Sequence, residues 1–196
     1  MYLLIFTCSI LFTLSNCTAQ DKKPGPKQGI NEGQLAPDFT LNDLNGKKIT
    51  LSSLKKEKKT VCLSFWATWC PYCIREISKL KSLHSKFSSR GLKILSINIA
   101  ANDPLYRVTE FVKKKGMPYS VLYDKTQTVS RSYGVSGIPV SIIIDADGMI
   151  VFRGYGLPEN VEFYFEKTLV SGSDNTPPVK SDKTPPADND TRNKKL

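Results

Sequence analysis

Histidine occurs once in the 196 residues, as His84, and the five cysteines include only one closely spaced pair. A structural zinc site needs four such ligands, so the composition argues against a zinc-built fold. The chain also lacks an apolar stretch of the roughly 20 residues that span a bilayer comfortably. Its N-terminal apolar run, Tyr2 to Leu14, is shorter than that, and residues 1 to 20 carry no charge at all. No internal repeat is present. No RNA- or DNA-binding motif accompanies the lysine runs Lys55-Lys56, Lys58-Lys59 and Lys113 to Lys115. The formal charge of +10 therefore reads as solvated helix ends and loops, and no nucleic-acid partner is expected. At low salt this charge would still draw the protein toward acidic partners or an anionic membrane surface.

What is present divides the chain into four parts. Residues 1–19 read as a secretory or lipoprotein signal, because the uncharged apolar run gives way abruptly to Asp21-Lys22-Lys23-Pro24-Gly25-Pro26. Two cleavage readings stand. Leu14-Ser15-Asn16-Cys17 resembles a lipobox, which would place a lipid anchor on Cys17, although Asn16 departs from the usual small residue there. Cys17-Thr18-Ala19 offers the small-x-Ala pattern of ordinary signal peptidase, and a basic leader is missing in either case. Export to the cell envelope or periplasm is expected. Residues 20–33 are rich in Lys, Pro, Gly and Gln, as a flexible tether would be. Residues 34–170 form the expected domain. Residues 171–196, with Pro177-Pro178 and Pro185-Pro186 among polar residues, cannot bury enough apolar surface to offset ordering and are expected to be disordered.

Within the domain, Asp38 to Leu41 and Lys47 to Leu51 flank Asn45-Gly46 and predict a β-hairpin. The apolar run Thr60 to Ala67 predicts a central strand buried on both faces. Pro71 to Ser89 places Ile74, Ile77, Leu80, Leu83, His84 and Phe87 at helical spacing. A strand over 92–100, a helix opened by Asp103-Pro104, a strand over 119–123, a short helix over 128–133, strands over 140–145 and 149–153, and a last helix from Pro158 complete the pattern. Alternation of this kind predicts an α/β fold with a mostly parallel sheet closed by one hairpin.

Chemistry concentrates in Trp69-Cys70-Pro71-Tyr72-Cys73, where the central strand hands over to the first long helix. Cysteines three apart at a helix start lie on one face, within bridging reach. Cys70 should sit at the helix N-terminus, where unpaired N–H groups and the dipole favour a thiolate. Pro71 suits the first helical position because it lacks only an N–H that would be unpaired there. Cys70 then reads as the attacking thiolate and Cys73, one turn in and more shielded, as the resolving thiol. A purely structural bridge across so small a loop would add little stability, and zinc lacks its other ligands. With Cys8 lost in the signal and Cys17 removed or lipidated, Cys62 remains, and it reads as a buried inert thiol. His84 reads as a packed side chain, too far into the helix to serve as a base.

The segments Phe39 to Lys47, Phe65 to Cys73 and Gly137-Ile138-Pro139 together resemble the TlpA/ResA-type thiol-disulfide oxidoreductases, in the redoxin (AhpC/TSA-related) branch of the thioredoxin superfamily, over about residues 34 to 170. The resemblance implies a thioredoxin-like fold: a central mixed β-sheet flanked by helices, an N-terminal β-hairpin and a βα-type insert around Asp103 to Tyr123. It implies that Pro139 is a cis proline facing the disulfide, and that Trp69, Pro71, Tyr72, Ile138 and Pro139 receive the substrate chain. It makes Glu76 an acid that helps manage protons at the redox pair. From the residues alone, a solvated glutamate paired with Lys79 or Lys81 is the competing reading. Protein disulfides or dithiols are the implied partners, with a membrane electron donor of the thioredoxin-reducing type, for instance in cytochrome c maturation. No metal or organic cofactor is implied, and a monomer is expected.

Two positions depart from the pattern. Ser64 stands where small thioredoxins keep a buried aspartate, and Ser78 where many relatives carry a helix-kinking proline. Two other activities on related folds fit less well. An AhpC/TSA-type thiol peroxidase would need proline and threonine where this chain has Leu63 and Ala67, and a copper-delivery protein would need a histidine after His84. A non-enzymatic envelope adaptor with vestigial cysteines is the alternative of another class. The direction of the redox reaction is not set by the motif, since the superfamily spans roughly −270 to −120 mV.

Overall fold

The computed structural model describes residues 25–170. The signal segment, Cys17 and the tail over 171–196 lie outside the described residues. The predicted central strand is β3 (Thr60–Trp66), in which every residue is buried. Two further strands follow it in parallel, β4 (Leu92–Asn98) beside β3 and β5 (Ser120–Tyr123) beside β4. On the other side β6 (Val140–Ile144) runs antiparallel to β3, and β7 (Ile150–Tyr155) antiparallel to β6. The order β5-β4-β3-β6-β7 is a mixed sheet, so the mostly parallel sheet expected from alternation alone is corrected. The chain returns through β6 against the direction of β3, which a count of alternating elements does not register.

Strand periodicity splits the core into two. Val61, Leu63 and Phe65 point to one face, joined by Leu95, Ile97, Leu122, Ile142 and Ile144. Cys62 and Trp66 point to the other, with Ile94, Val121 and Ile143. The second face is covered by α2 (Pro71–Phe87) through Leu80, Leu83 and Phe87, by α3 (Leu105–Lys115) through Val108, and by α5 (Val161–Val170) through Val161 and Phe165. Ser78 is accommodated without a break in α2. The expected insert is in place as α3 followed by β5.

The first face is covered by Phe39, the hairpin β1 (Thr40–Asn42) and β2 (Lys48–Thr50), α1 (Leu51–Lys56), and α4 (Thr128–Ser132) with the fully buried Tyr133. The hairpin forms, but with a longer loop than Asn45-Gly46 alone implies. Asp43 Oδ1 accepts the N–H groups of Asn45 (2.9 Å) and Lys47 (2.8 Å) and so rounds the turn. Helix α1 replaces the end of the expected second strand. Its first-turn donor, Ser52 N–H, is satisfied by Asp38 Oδ1 at 2.8 Å, a cap supplied from 14 residues upstream.

Part of the segment expected as a tether, residues 27–33, is bonded to the domain. From Lys27 onward the backbone is tied to the domain: Lys27 C=O accepts Leu35 N–H (3.0 Å), Gly33 N–H donates to Ile150 C=O (2.8 Å), and Glu32 Oε1 accepts Arg153 N–H (3.0 Å). These bonds cover the β7 side of the sheet, where an exposed row of backbone groups would otherwise remain.

Candidate active site

The carboxyl end of β3 leads through Ala67-Thr68-Trp69 into α2, and this junction sets the site. Cys70 is the N-cap residue of α2 in extended conformation, with Pro71 as the first helical residue. Its Sγ accepts the Cys73 N–H at 3.1 Å, one of the donors that a helix start leaves without an intrahelical partner. A disulfide joins Cys70 and Cys73, with Cα atoms 5.3 Å apart. The expectation that Cys73 is the more shielded is not met: both residues are buried to the same degree, at 4 % exposure. What distinguishes them is the cap position, since Cys70 Sγ is the sulfur that accepts a first-turn N–H of the helix.

Opposite the pair, the Ile138–Pro139 peptide is cis and the Ile138 carbonyl oxygen lies 3.9 Å from Cys70 Sγ. Trp69 and Tyr72 are exposed beside the disulfide, and the Arg75 guanidinium stacks 4.3 Å above the Tyr72 ring. Cys70, Cys73, Trp69, Pro71, Tyr72, Ile138 and Pro139 are thus brought together at one end of the sheet.

Glu76 is half-buried one turn after Cys73. Neither lysine named for it makes the pair: Lys79 Nζ donates to the Pro158 carbonyl (2.9 Å) and Lys81 Nζ to the Lys115 carbonyl (3.2 Å). Instead Glu76 Oε1 accepts Leu157 N–H at 2.7 Å, while Oε2 is buried without a partner among the described residues. Burial raises the Glu76 pKa above the ordinary 4.5, and the Leu157 N–H and the charge of Lys79 oppose that rise. A native carboxyl with a raised pKa holds its proton where the unfolded chain has lost it. Its ionisation therefore costs stability progressively as pH rises from the ordinary glutamate range through the raised value. Glu76→Gln should gain melting temperature relative to the parent across that window, with the difference vanishing below about pH 4. Thermal melts of both proteins from pH 3 to 8 check this, and a pH-independent difference would contradict it.

Cys62 is fully buried on β3, and burial, with the nearby Glu76 charge, pushes its thiol up to about 12. His84 is half-buried with its ring 6.1 Å from that of Tyr119, as the packed reading expects.

Sequence reasoning passed over Asp103, read only as a helix opener. The actual N-cap is Pro104, and the buried Asp103 carboxylate turns instead toward the active-site loop. It accepts Thr68 N–H (2.7 Å), Thr68 Oγ1–H (2.6 Å) and Asn98 Nδ2–H (2.7 Å). Trp69 Nε1 is held nearby by the Ala101 carbonyl at 2.7 Å. An acidic residue followed by proline was the only local signal.

Comparison with known proteins agrees with this geometry. The AhpC/TSA family model matches residues 33–153. The thiol-disulfide oxidoreductase ResA of Bacillus thuringiensis is 35 % identical over 169 residues, covering 84 % of this chain and 95 % of the relative. ResA of Bacillus subtilis is 34 % identical, covering 76 % and 78 %. Among solved structures, a thioredoxin-family thiol:disulfide interchange protein from Chlorobium tepidum superposes with a TM-score of 0.61 at 29 % identity, covering 69 % of this chain and 95 % of that one. The thioredoxin domain of a Bacteroides vulgatus thiol-disulfide oxidoreductase, at 23 % identity and a TM-score of 0.63 over 72 % and 99 % of the two chains, shares the fold. This chain belongs to the AhpC/TSA family and, within it, to the ResA-type thiol-disulfide oxidoreductases.

Proposed function

We propose that this oxidoreductase works outside the cytoplasm as a reductase of protein disulfides. The observation that carries the reading is the placement of Cys70 Sγ at the start of α2, where it receives the Cys73 N–H and faces the Ile138 carbonyl. In the reduced protein the Cys70 thiolate attacks one sulfur of a substrate disulfide, forming a mixed disulfide and releasing the other substrate sulfur as a thiolate. Cys73 then attacks Cys70 Sγ, which expels the second substrate thiolate and closes the Cys70–Cys73 bond. Two electrons pass to the substrate, and two protons complete its dithiol. Glu76, with its raised pKa, is the acid and base that carries a proton to and from the pair. Trp69, Pro71, Tyr72, Ile138 and Pro139 form the surface that receives the substrate chain.

Return to the dithiol requires a membrane electron donor of the thioredoxin-reducing type. Export by the signal segment, a lipid anchor at Cys17, a monomeric state and a role in cytochrome c maturation belong to the same reading. Among the described residues no helix is long and apolar enough to cross a membrane. The peroxidase alternative is disfavoured by Leu63 and Ala67 on and beside β3. The test is the midpoint potential of the Cys70–Cys73 couple together with insulin reduction by the dithiol protein. A potential near −270 mV with rapid insulin reduction supports the reductase, whereas a value near −120 mV would reverse the direction.

A further inference from the structure

The Glu76 carboxylate is seated by a residue 80 positions away that offers it nothing but space. Gly156 lies just beyond β7 with φ at +73°, and a Cβ on it would stand 2.5 Å from Glu76 Oε1, well inside van der Waals contact. The next amide, Leu157 N–H, is the one that Oε1 accepts at 2.7 Å. Gly156 N–H donates to the Pro139 carbonyl at 3.1 Å. Two successive backbone donors of one turn therefore hold, on one side, Glu76, one helical turn after Cys73, and, on the other, the cis proline that faces the redox pair. We propose that Gly156 is a positioning residue for the redox reaction, keeping the Glu76 carboxylate on Leu157 N–H and joining it through the same turn to Pro139. The proposal rests on the reading of Glu76 as the acid that handles protons for Cys70 and Cys73.

The groups bearing on Glu76 are few. Lys79 lies on its own helix but turns its ammonium to the Pro158 carbonyl, Cys62 is a protonated thiol on β3, and the β7–α5 loop contributes the neutral Leu157 amide. No bonded cation among the described residues would hold a displaced carboxylate in place. A side chain at 156 should drive it outward, off Leu157 N–H and away from the cysteines.

A carboxylate near a thiol disfavours the thiolate, so its removal should lower the thiol's apparent pKa by about one unit. The experiment measures alkylation of Cys70 by iodoacetamide against pH in the reduced full chain. Glu76→Ala is expected to move the midpoint down by about that much. Gly156→Ala should move it the same way, and should add nothing in the Glu76→Ala background, where the clash is gone. Gly33→Ala serves as the control for backbone strain alone. Its φ is +79° and, its chain neighbours aside, no atom of the described residues lies within 4 Å of its Cβ position, so it should lose melting temperature and keep the parent profile. If Gly156→Ala does not fold, Gly156→Asn tolerates the left-handed backbone better while retaining the offending Cβ.

A parent-like profile in the position 156 variant beside a shifted Glu76→Ala profile would overturn the role of Gly156 and leave that of Glu76 standing. An unshifted Glu76→Ala profile would remove both. A shift from Gly156→Ala that persists in the Glu76→Ala background would also overturn the proposal, since the glycine would then act without the carboxylate.

Discussion

Cys73→Ser is expected to accumulate covalent complexes with protein disulfides, while Cys70→Ser accumulates none, and multiple-turnover reduction should fall in both by about a thousandfold or more, as when a nucleophile acting in a unit is removed. Exposure does not produce this asymmetry, because the two residues are equally buried. It comes from the helix start. Cys70 Sγ receives the Cys73 N–H and stands at the N-terminal partial charge of α2, an arrangement that favours an attacking sulfur. The molecule carries its own reference in Cys62, buried on β3 away from any helix terminus and pushed up to about 12. Burial, with the nearby Glu76 charge, silences that thiol, whereas Cys70 has the helix start beside it. In Cys73→Ser the attacking sulfur remains and the resolving one is gone, so the mixed disulfide persists. Alkylation across pH should rank Cys70 well ahead of Cys73, with Cys62 reacting only on unfolding. Non-reducing gels of each variant incubated with oxidised clients read the other half. Trapping by Cys70→Ser, or a faster-alkylating Cys73, would invert the assignment.

The parts of this site that sequence made legible are those whose causes are local. The burial of β3 on both faces shows as an uninterrupted apolar run, and α2 shows as helical spacing that begins at a Cys-Pro step. Pro139 was legible only through resemblance, since nothing local to Ile138-Pro139 favours the cis form over trans. The illegible parts depend on contacts across long separations. Helix α1 takes its cap from Asp38, the docking of Lys27 to Gly33 needs the β7 side of the sheet, and Glu76 meets Leu157 across 81 residues. The choice between a solvated glutamate and a site acid could not be made from residues near Glu76. The structure adds an amide of the loop after β7 on Glu76 Oε1 in place of a pairing with Lys79 or Lys81.

Asp103→Ala should be the most damaging change outside the cysteines themselves. The carboxylate is 1 % exposed and accepts three donors from two elements, two of them from Thr68, two residues before Cys70. Hydrogen bonds to a charged group contribute about 1.5–3 kcal/mol each, and truncation would leave the half-buried Thr68 N–H and Oγ1–H and the buried Asn98 Nδ2–H without their acceptor. Some relaxation and water entry will recover part of this, so a net loss of about 3 kcal/mol is expected. Asp103→Asn keeps the shape but offers one acceptor oxygen and an amide that faces donors, and should cost roughly half as much. The functional consequence follows from what the brace holds. Thr68 and Trp69 carry the chain from β3 to the helix start, with Trp69 fixed to Ala101 of the β4–α3 loop that also carries Asp103. Without Asp103 this segment loses the contacts that set where Cys70 meets α2. Disulfide reduction should then slow by about tenfold at temperatures where the variant remains folded, since modest misplacement of a reacting group is costly. Urea denaturation gives the stability, and single-turnover reduction of a model disulfide gives the rate. If Asp103→Ala stays within about 0.5 kcal/mol of the parent, the range of ordinary surface substitutions, the carboxylate is no brace. If stability falls while the single-turnover rate holds, it supports the fold without positioning Cys70.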